Sequence, residues 1–143
     1  MSSLLLKQVT VSSWGNTTRS NCLAYRPERQ HELLSIVSQA QDLGVIAYGN
    51  GLNYSDQAFN TNGNIITTTR LNRLISFDQH SGELVCEPGV TFIDLLQTFL
   101  PKGWGPPVIP GSLDVTVGGA VANDVHGKEN EQCTPADTMQ DVS

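Results

Sequence analysis

A chain of 143 residues, 38% hydrophobic and 15% charged, can bury one modest core and carries too little charge to stay an extended, self-repelling coil. Eight Lys and Arg against 14 Asp and Glu leave a net charge of -6, a field that repels a phosphate backbone and argues against a nucleic-acid partner. The cysteines Cys22, Cys86 and Cys133 lack CxxC or Cys/His spacing, which excludes a disulfide scaffold and a structural zinc site, and no segment approaches the roughly 18 apolar residues of a membrane span. Residues 1–7 form no signal-type segment, so the cytoplasm is the expected compartment.

Along the chain, Leu33, Ile36, Val37, Ala40 and Leu43 recur at intervals of three and four, which predicts a helix over 28–43 opened by Pro27 and closed by Gly44. The apolar run 45–48 then reads as a buried strand feeding a tight loop at Gly49-Asn50-Gly51. Asn62-Gly63 signals a turn before Ile65-Ile66, and segments 74–77 and 83–87 read as an antiparallel hairpin around a polar turn. Thr91 is placed to accept from the main-chain N–H of Asp94, and Phe92, Leu95, Leu96 and Phe99 supply the apolar stripe of a second helix ended by Pro101. Val108-Ile109 suggests a brief strand, and 115–121, with Gly118-Gly119 inside it, a short helix packed closely against something. Residues 129–143 are polar and aperiodic, the pattern of an irregular tail.

Two side-chain-poor blocks carry the chemistry. Gly49-Asn50-Gly51 with Tyr54 nearly makes a Rossmann fingerprint, but no helical period follows it, and a Rossmann loop must open into a helix whose N-terminus carries the pyrophosphate. A nicotinamide-dependent enzyme is disfavoured on that ground. Consecutive glycine-rich N–H groups can still turn inward as an anion-binding nest, while the structural alternative is an ordinary strand-to-strand turn. In the second block, 110–128, adjacent Gly118 and Gly119 fit either close approach of a planar or phosphorylated group or packing against a neighbouring strand. Thr116 fits a helix cap as well as a ligand contact, and His126 fits a structural as well as a catalytic role.

The residues 48–56, Glu87-Pro88-Gly89-Val90 and the 110–128 block, in that order, resemble the PCMH-type FAD-binding domain of the vanillyl-alcohol-oxidase flavoprotein family. Within it the chain is most similar to the decaprenylphosphoryl-ribose oxidase branch, through Trp14-Gly15, the 115–120 segment and His126-Gly127-Lys128. The resemblance implies an α+β fold of two small α/β subdomains, the second incomplete, with a domain over 14–128 between an N-terminal extension at 1–13 and the 129–143 tail. It implies FAD as cofactor and assigns the pyrophosphate to Ala47, Tyr48, Gly49, Asn50, Gly51, Leu52, Asn53, Tyr54, Ser55, Asp56 and Gln57. Flavin and phosphate contacts fall to Gly111, Thr116, Val117, Gly118 and Gly119, and the isoalloxazine side to Asn123, Asp124, Val125 and His126. Leu52 stands where histidine-tethered relatives carry their histidine, which implies noncovalent FAD. Tyr48 and Ser55 stand where relatives place an arginine and a glycine.

The implied reaction is oxidation of an alcohol (CH–OH) group on a sugar-like or lactone substrate by a flavin-dependent oxidoreductase. The family pattern stops matching after Lys128, so the resemblance implies a member cut short of its substrate region. Such a chain would hold FAD weakly or not at all, and act on a small-molecule alcohol only when the missing region is supplied. The rival expectation is a non-enzymatic fragment, or a half-domain that pairs with another polypeptide.

Overall fold

The computed structural model describes residues 6–40 and 42–125, and the backbone of 128–129. The chain divides into two compact units, the first running through Leu71 and the second from Asn72.

The first unit is a four-stranded sheet built from β1 (Leu6–Ser12), β2 (Arg19–Tyr25), β3 (Val45–Tyr48) and β4 (Asn64–Thr67), with α1 (Glu32–Gln39) linking β2 to β3. Its strand order is β1-β2-β4-β3, with β1 antiparallel to β2 and β4 parallel to both β2 and β3. Successive strand side chains point to opposite faces, so Ile65 and Ile66 of β4 each anchor a different core. Ile65 packs with Val11, Cys22 and Ala24, with Phe59 and Tyr48 against them. Ile66 packs with Tyr25 and with Ile36 and Ala40 from the α1 side. The sheet therefore includes Leu6–Ser12, upstream of the Trp14 boundary expected from the sequence, because Leu6 through Ser12 pair in register with Tyr25 through Arg19.

The α1 helix is shorter than the 28–43 span its periodicity predicts. The Glu32 carboxylate accepts the main-chain N–H groups of Glu28 (2.7 Å) and Arg29 (2.9 Å), holding the residues after Pro27 in turns ahead of the first helical residue. At the other end Gly44 adopts φ 64°, and the Asn60 side-chain amide donates to the carbonyls of Leu43 and Gly44 at 3.1 and 3.3 Å. Of the five residues read as one apolar face, Ile36 and Ala40 are buried while Val37 and Leu43 lie outside the core.

In the second unit β5 (Leu74–Phe77) and β6 (Leu84–Cys86) form the expected antiparallel hairpin, with an irregularity between Leu74 and Ser76. Its turn is held by the N–H of His80 donating to Asp78 Oδ1 at 2.8 Å and by Gly82 at φ 76°. The α2 helix (Phe92–Phe99) begins as its sequence predicts: Thr91 Oγ1 accepts the Asp94 N–H, and the Asp94 carboxylate accepts the Thr91 N–H. Pro101 does not stop the chain's coiling outright; it sits in a 3-10 turn, Leu100–Lys102, that Gly103 ends at φ 82°. Val90, Leu95, Phe99 and Val117 form this unit's core, flanked by Phe77, Leu84, Cys86 and Trp104. The pair β7 (Val108–Ile109) and β8 (Lys128–Glu129) is antiparallel, and α3 (Val117–Ala122) is the short glycine-bearing helix. Glu129, expected at the start of an irregular tail, thus lies in a strand; residues 130–143 fall outside the described residues.

Candidate functional site

The first block lies in the first unit. β3 delivers the chain to Gly49 at the end of the sheet, and Gly51 turns it with φ 69°, a left-handed conformation that side-chain-bearing residues enter at a cost of about 1–2 kcal/mol. A Cβ at Gly51 would also fall on the Tyr48 hydroxyl, which donates to the carbonyl of Ser12 at 3.2 Å. Burial pushes the Tyr48 phenol above its ordinary value, against the lowering effect of that hydrogen bond. Tyr48, expected from the resemblance to be a departure in the phosphate loop, is the residue that ties β3 to the end of β1.

Further along, the Trp14 N–H donates to Asn53 O at 3.0 Å and the rings of Trp14 and Tyr54 meet edge to face at 6.2 Å. The Trp14-Gly15 signature is thereby attached to the loop itself, a contact that sequence spacing does not announce. Ser55 donates its N–H to Gln57 Oε1 at 3.1 Å, and Phe59 donates its N–H to Asp56 O at 2.8 Å. Among the described residues, the N–H groups of Gly51, Leu52 and Asn53 donate to no protein acceptor. Three successive unspent donors on a glycine turn are the chemistry an anion requires. The only ionisable side chain from Ala47 to Gln57 besides the phenols of Tyr48 and Tyr54 is the carboxylate of Asp56, so the loop itself offers an anion main-chain dipoles and no cation.

The second block lies in the second unit and behaves differently. Thr116 is buried and caps α3, accepting the Gly119 N–H at 3.1 Å. Val117 donates its N–H to Val90 O at 2.8 Å, Gly118 to Pro88 O at 2.9 Å and Ala120 to Thr116 O at 2.9 Å. The first-turn donors of α3 are therefore spent inside the protein. A Cβ at Gly118 would stand 2.7 Å from Pro88 Cβ, so the glycine is there to admit Pro88, the packing alternative left open by the sequence. A Cβ at Gly111, by contrast, would meet nothing within 4 Å, and Gly111 is exposed. Asn123 donates its side-chain amide to Gly119 O at 2.9 Å, and Asp124 takes φ 46°. Val125 donates its N–H to Ala120 O at 3.0 Å. His126 lies outside the described residues.

Glu87, in the Glu-Pro-Gly block, is buried and accepts the main-chain N–H of Arg73 at 2.9 Å and its Nε at 3.0 Å, with a further bond from Nη2. It anchors the segment whose Pro88 and Val90 carbonyls cap α3. A buried acid beside Pro-Gly was the available signal for this role.

A family model described as an FAD-binding domain matches residues 23–142, which carries the family match past Lys128, contrary to the expectation from the sequence that it stops there. The chain belongs to the FAD-binding domain family. This FAD-binding domain is 35% identical over 120 residues to decaprenylphosphoryl-beta-D-ribose oxidase of Mycolicibacterium smegmatis, covering 82% of the chain and 26% of that protein. It is 30% identical over 107 residues to an uncharacterised FAD-linked oxidoreductase of Mycobacterium tuberculosis, covering 73% of the chain and 23% of the relative. Among solved structures, a cholesterol oxidase of Brevibacterium sterolicum superposes with a TM-score of 0.77 at 14% identity, covering 89% of the chain and 26% of the oxidase. An alkyldihydroxyacetonephosphate synthase superposes at 0.66 and 18% identity, covering 82% and 25% respectively. These likenesses establish the α+β PCMH-type FAD-binding fold expected from the sequence. The chain spans about a quarter of the length of the relatives it matches.

The residues present fit FAD unequally. The 49–53 loop offers donors for a diphosphate, whereas α3 offers a short, small-residue surface and no main-chain N–H from residues 117–120.

Proposed function

We propose that this chain is the cofactor-holding part of a flavin-dependent oxidoreductase that acts on an alcohol group of a sugar-like or lactone substrate, with FAD held noncovalently. The observation that carries the reading is the run of unspent N–H groups at Gly51, Leu52 and Asn53 on a left-handed glycine turn. Bound FAD supplies the hydride-accepting ring for alcohol oxidation. The chain's own residues bind and orient: Ala47 to Gln57 take the diphosphate through main-chain donors, and Leu52, lacking a nucleophilic atom, leaves the flavin untethered. Gly111 and the Thr116 to Gly119 turn take phosphate or ring contacts by offering room, and Asn123, Asp124, Val125 and His126 border the isoalloxazine. The likeness to an oxidase of a phosphorylated lipid-linked ribose supports the substrate class.

The test is a titration of the purified chain with FAD followed by flavin fluorescence, then acid precipitation. Saturable binding in the micromolar range, about -8 kcal/mol, with the yellow colour remaining in the supernatant is the expected result. Absence of saturable binding would overturn the cofactor reading, and colour in the pellet would overturn the noncovalent one.

A second reading is favoured by Leu34, Val37 and Leu43, which are 80%, 51% and 57% exposed on and just after α1. A half-domain that pairs with another polypeptide would cover such residues. Sedimentation of the chain mixed with the separately produced remainder of a homologous oxidoreductase distinguishes a stable pair from two independent species.

A further inference from the structure

We propose that Asn50-Gly51 is a self-modification site, at which the cofactor loop ages by deamidation while the chain's other Asn-Gly step, Asn62-Gly63, is protected by the fold. Among the residues that follow asparagines in this chain, only those at 51 and 63 lack a Cβ to obstruct attack by their own nitrogen on the neighbouring side chain.

The two steps differ at the attacking nitrogen. Gly63 is buried, and its N–H donates to Asn60 O at 2.8 Å while its carbonyl accepts from Leu23 at 2.8 Å. The preceding N–H of Asn62 donates to Asn21 O at 2.8 Å, so the main-chain N–H groups of both residues of that step are engaged. Both asparagines are exposed, but Gly51 is only half-buried and its N–H has no acceptor among the described residues. Among the described residues the attacking nitrogen at position 51 has no bond to surrender, while the one at position 63 has.

The chemistry balances without an added oxidant or reductant. The Gly51 nitrogen, losing its proton to solvent base, forms a bond to Asn50 Cγ; the Cγ–Nδ2 bond breaks, and the side-chain nitrogen leaves as ammonia. Water then opens the cyclic imide at one carbonyl or the other, giving aspartate or isoaspartate at position 50. The product adds one negative charge, taking the chain's net charge from -6 to -7.

The consequence rests on the flavin reading above. A new carboxylate beside N–H groups that hold a diphosphate repels it, by on the order of tenfold in affinity for a pair of charges near a protein surface. Reciprocally, a diphosphate that occupies the Gly51 N–H shields the attacking nitrogen. A loaded chain is preserved, and an empty one loses its ability to load, irreversibly.

Incubation of the full chain at mildly alkaline pH, sampled by peptide mass mapping, tests this with Asn62 as internal control. In buffer, position 50 is expected to convert about tenfold faster than position 62 or more, the factor imposed by breaking main-chain hydrogen bonds before attack. In concentrated urea the two rates should converge. Equal rates in buffer, or faster conversion at 62, would overturn the proposal. A parallel incubation with saturating FAD should slow position 50 alone, and an Asn50→Asp variant should bind FAD about tenfold more weakly than fresh wild type. Conversion at an unchanged rate while flavin fluorescence shows FAD bound would overturn the shielding. Fresh wild type that takes no FAD at all would overturn the flavin reading, leaving the modification judged by the mass map.

Discussion

Two glycines in the candidate blocks do different work. Gly51 is required by its backbone, at φ 69°, and by the Tyr48 hydroxyl lying over it. Gly51→Ala should therefore destabilise the first unit by about 2 kcal/mol, combining the left-handed penalty with displacement of Tyr48, as read by the urea midpoint. Gly118 has an ordinary backbone but faces Pro88 Cβ at 2.7 Å from the position a methyl would take. Gly118→Ala should cost about 1–3 kcal/mol through overpacking against Pro88, read by the urea midpoint. If Gly118→Ala were as stable as wild type, Pro88 would not be the reason for the glycine. The spacing of both glycines was legible in the sequence; their separate causes were not, because Pro88 and Tyr48 reach them through the fold.

At the scale of elements, legibility followed locality. The start of α2 is encoded within four residues, since Thr91 and Asp94 satisfy each other's N–H groups. Thr91→Ala should cost about 1 kcal/mol, measured as a lowered melting temperature. The hairpin turn is equally local: His80 N–H and the Ser81 side chain hold the Asp78 carboxyl below the usual carboxylate range. A lowered folded pKa gives stability that is present above the ordinary value near 4 and is lost as pH falls through the folded value. The urea midpoint should accordingly decline in acid, and Asp78→Asn should flatten part of that decline. The strands β1 and β2 offered no comparable signal. Their inward side chains include Ser20, Cys22 and Ala24, too small and too mixed to read as an apolar alternation, yet all three are buried once paired. The α1 helix misled in the opposite direction, because its 3.6-residue apolar period continued through Val37 and Leu43, which the core does not use.

For the molecule as a whole, charge sets the terms of binding. The net charge of -6 opposes an anionic cofactor at long range, and no Lys or Arg lies between Ala47 and Gln57 to compensate. FAD affinity should rise several-fold at most between low ionic strength and about 0.15 M salt, as screening removes the repulsion. A fall in affinity with added salt would instead point to a basic contact outside the loop. The chain also carries two tryptophans, one to each unit. Trp14 is 63% exposed beside Tyr54, but Trp104 is pressed against the hairpin turn so closely that a Cβ on Gly82 would stand 2.5 Å from its ring. With Phe77 edge-on to it at 5.7 Å, that indole is screened from water only while the turn stays shut. Its emission is thus an intrinsic optical gauge of the hairpin: a Trp14→Phe protein would glow blue with the turn closed and shift toward red as the turn lifts away.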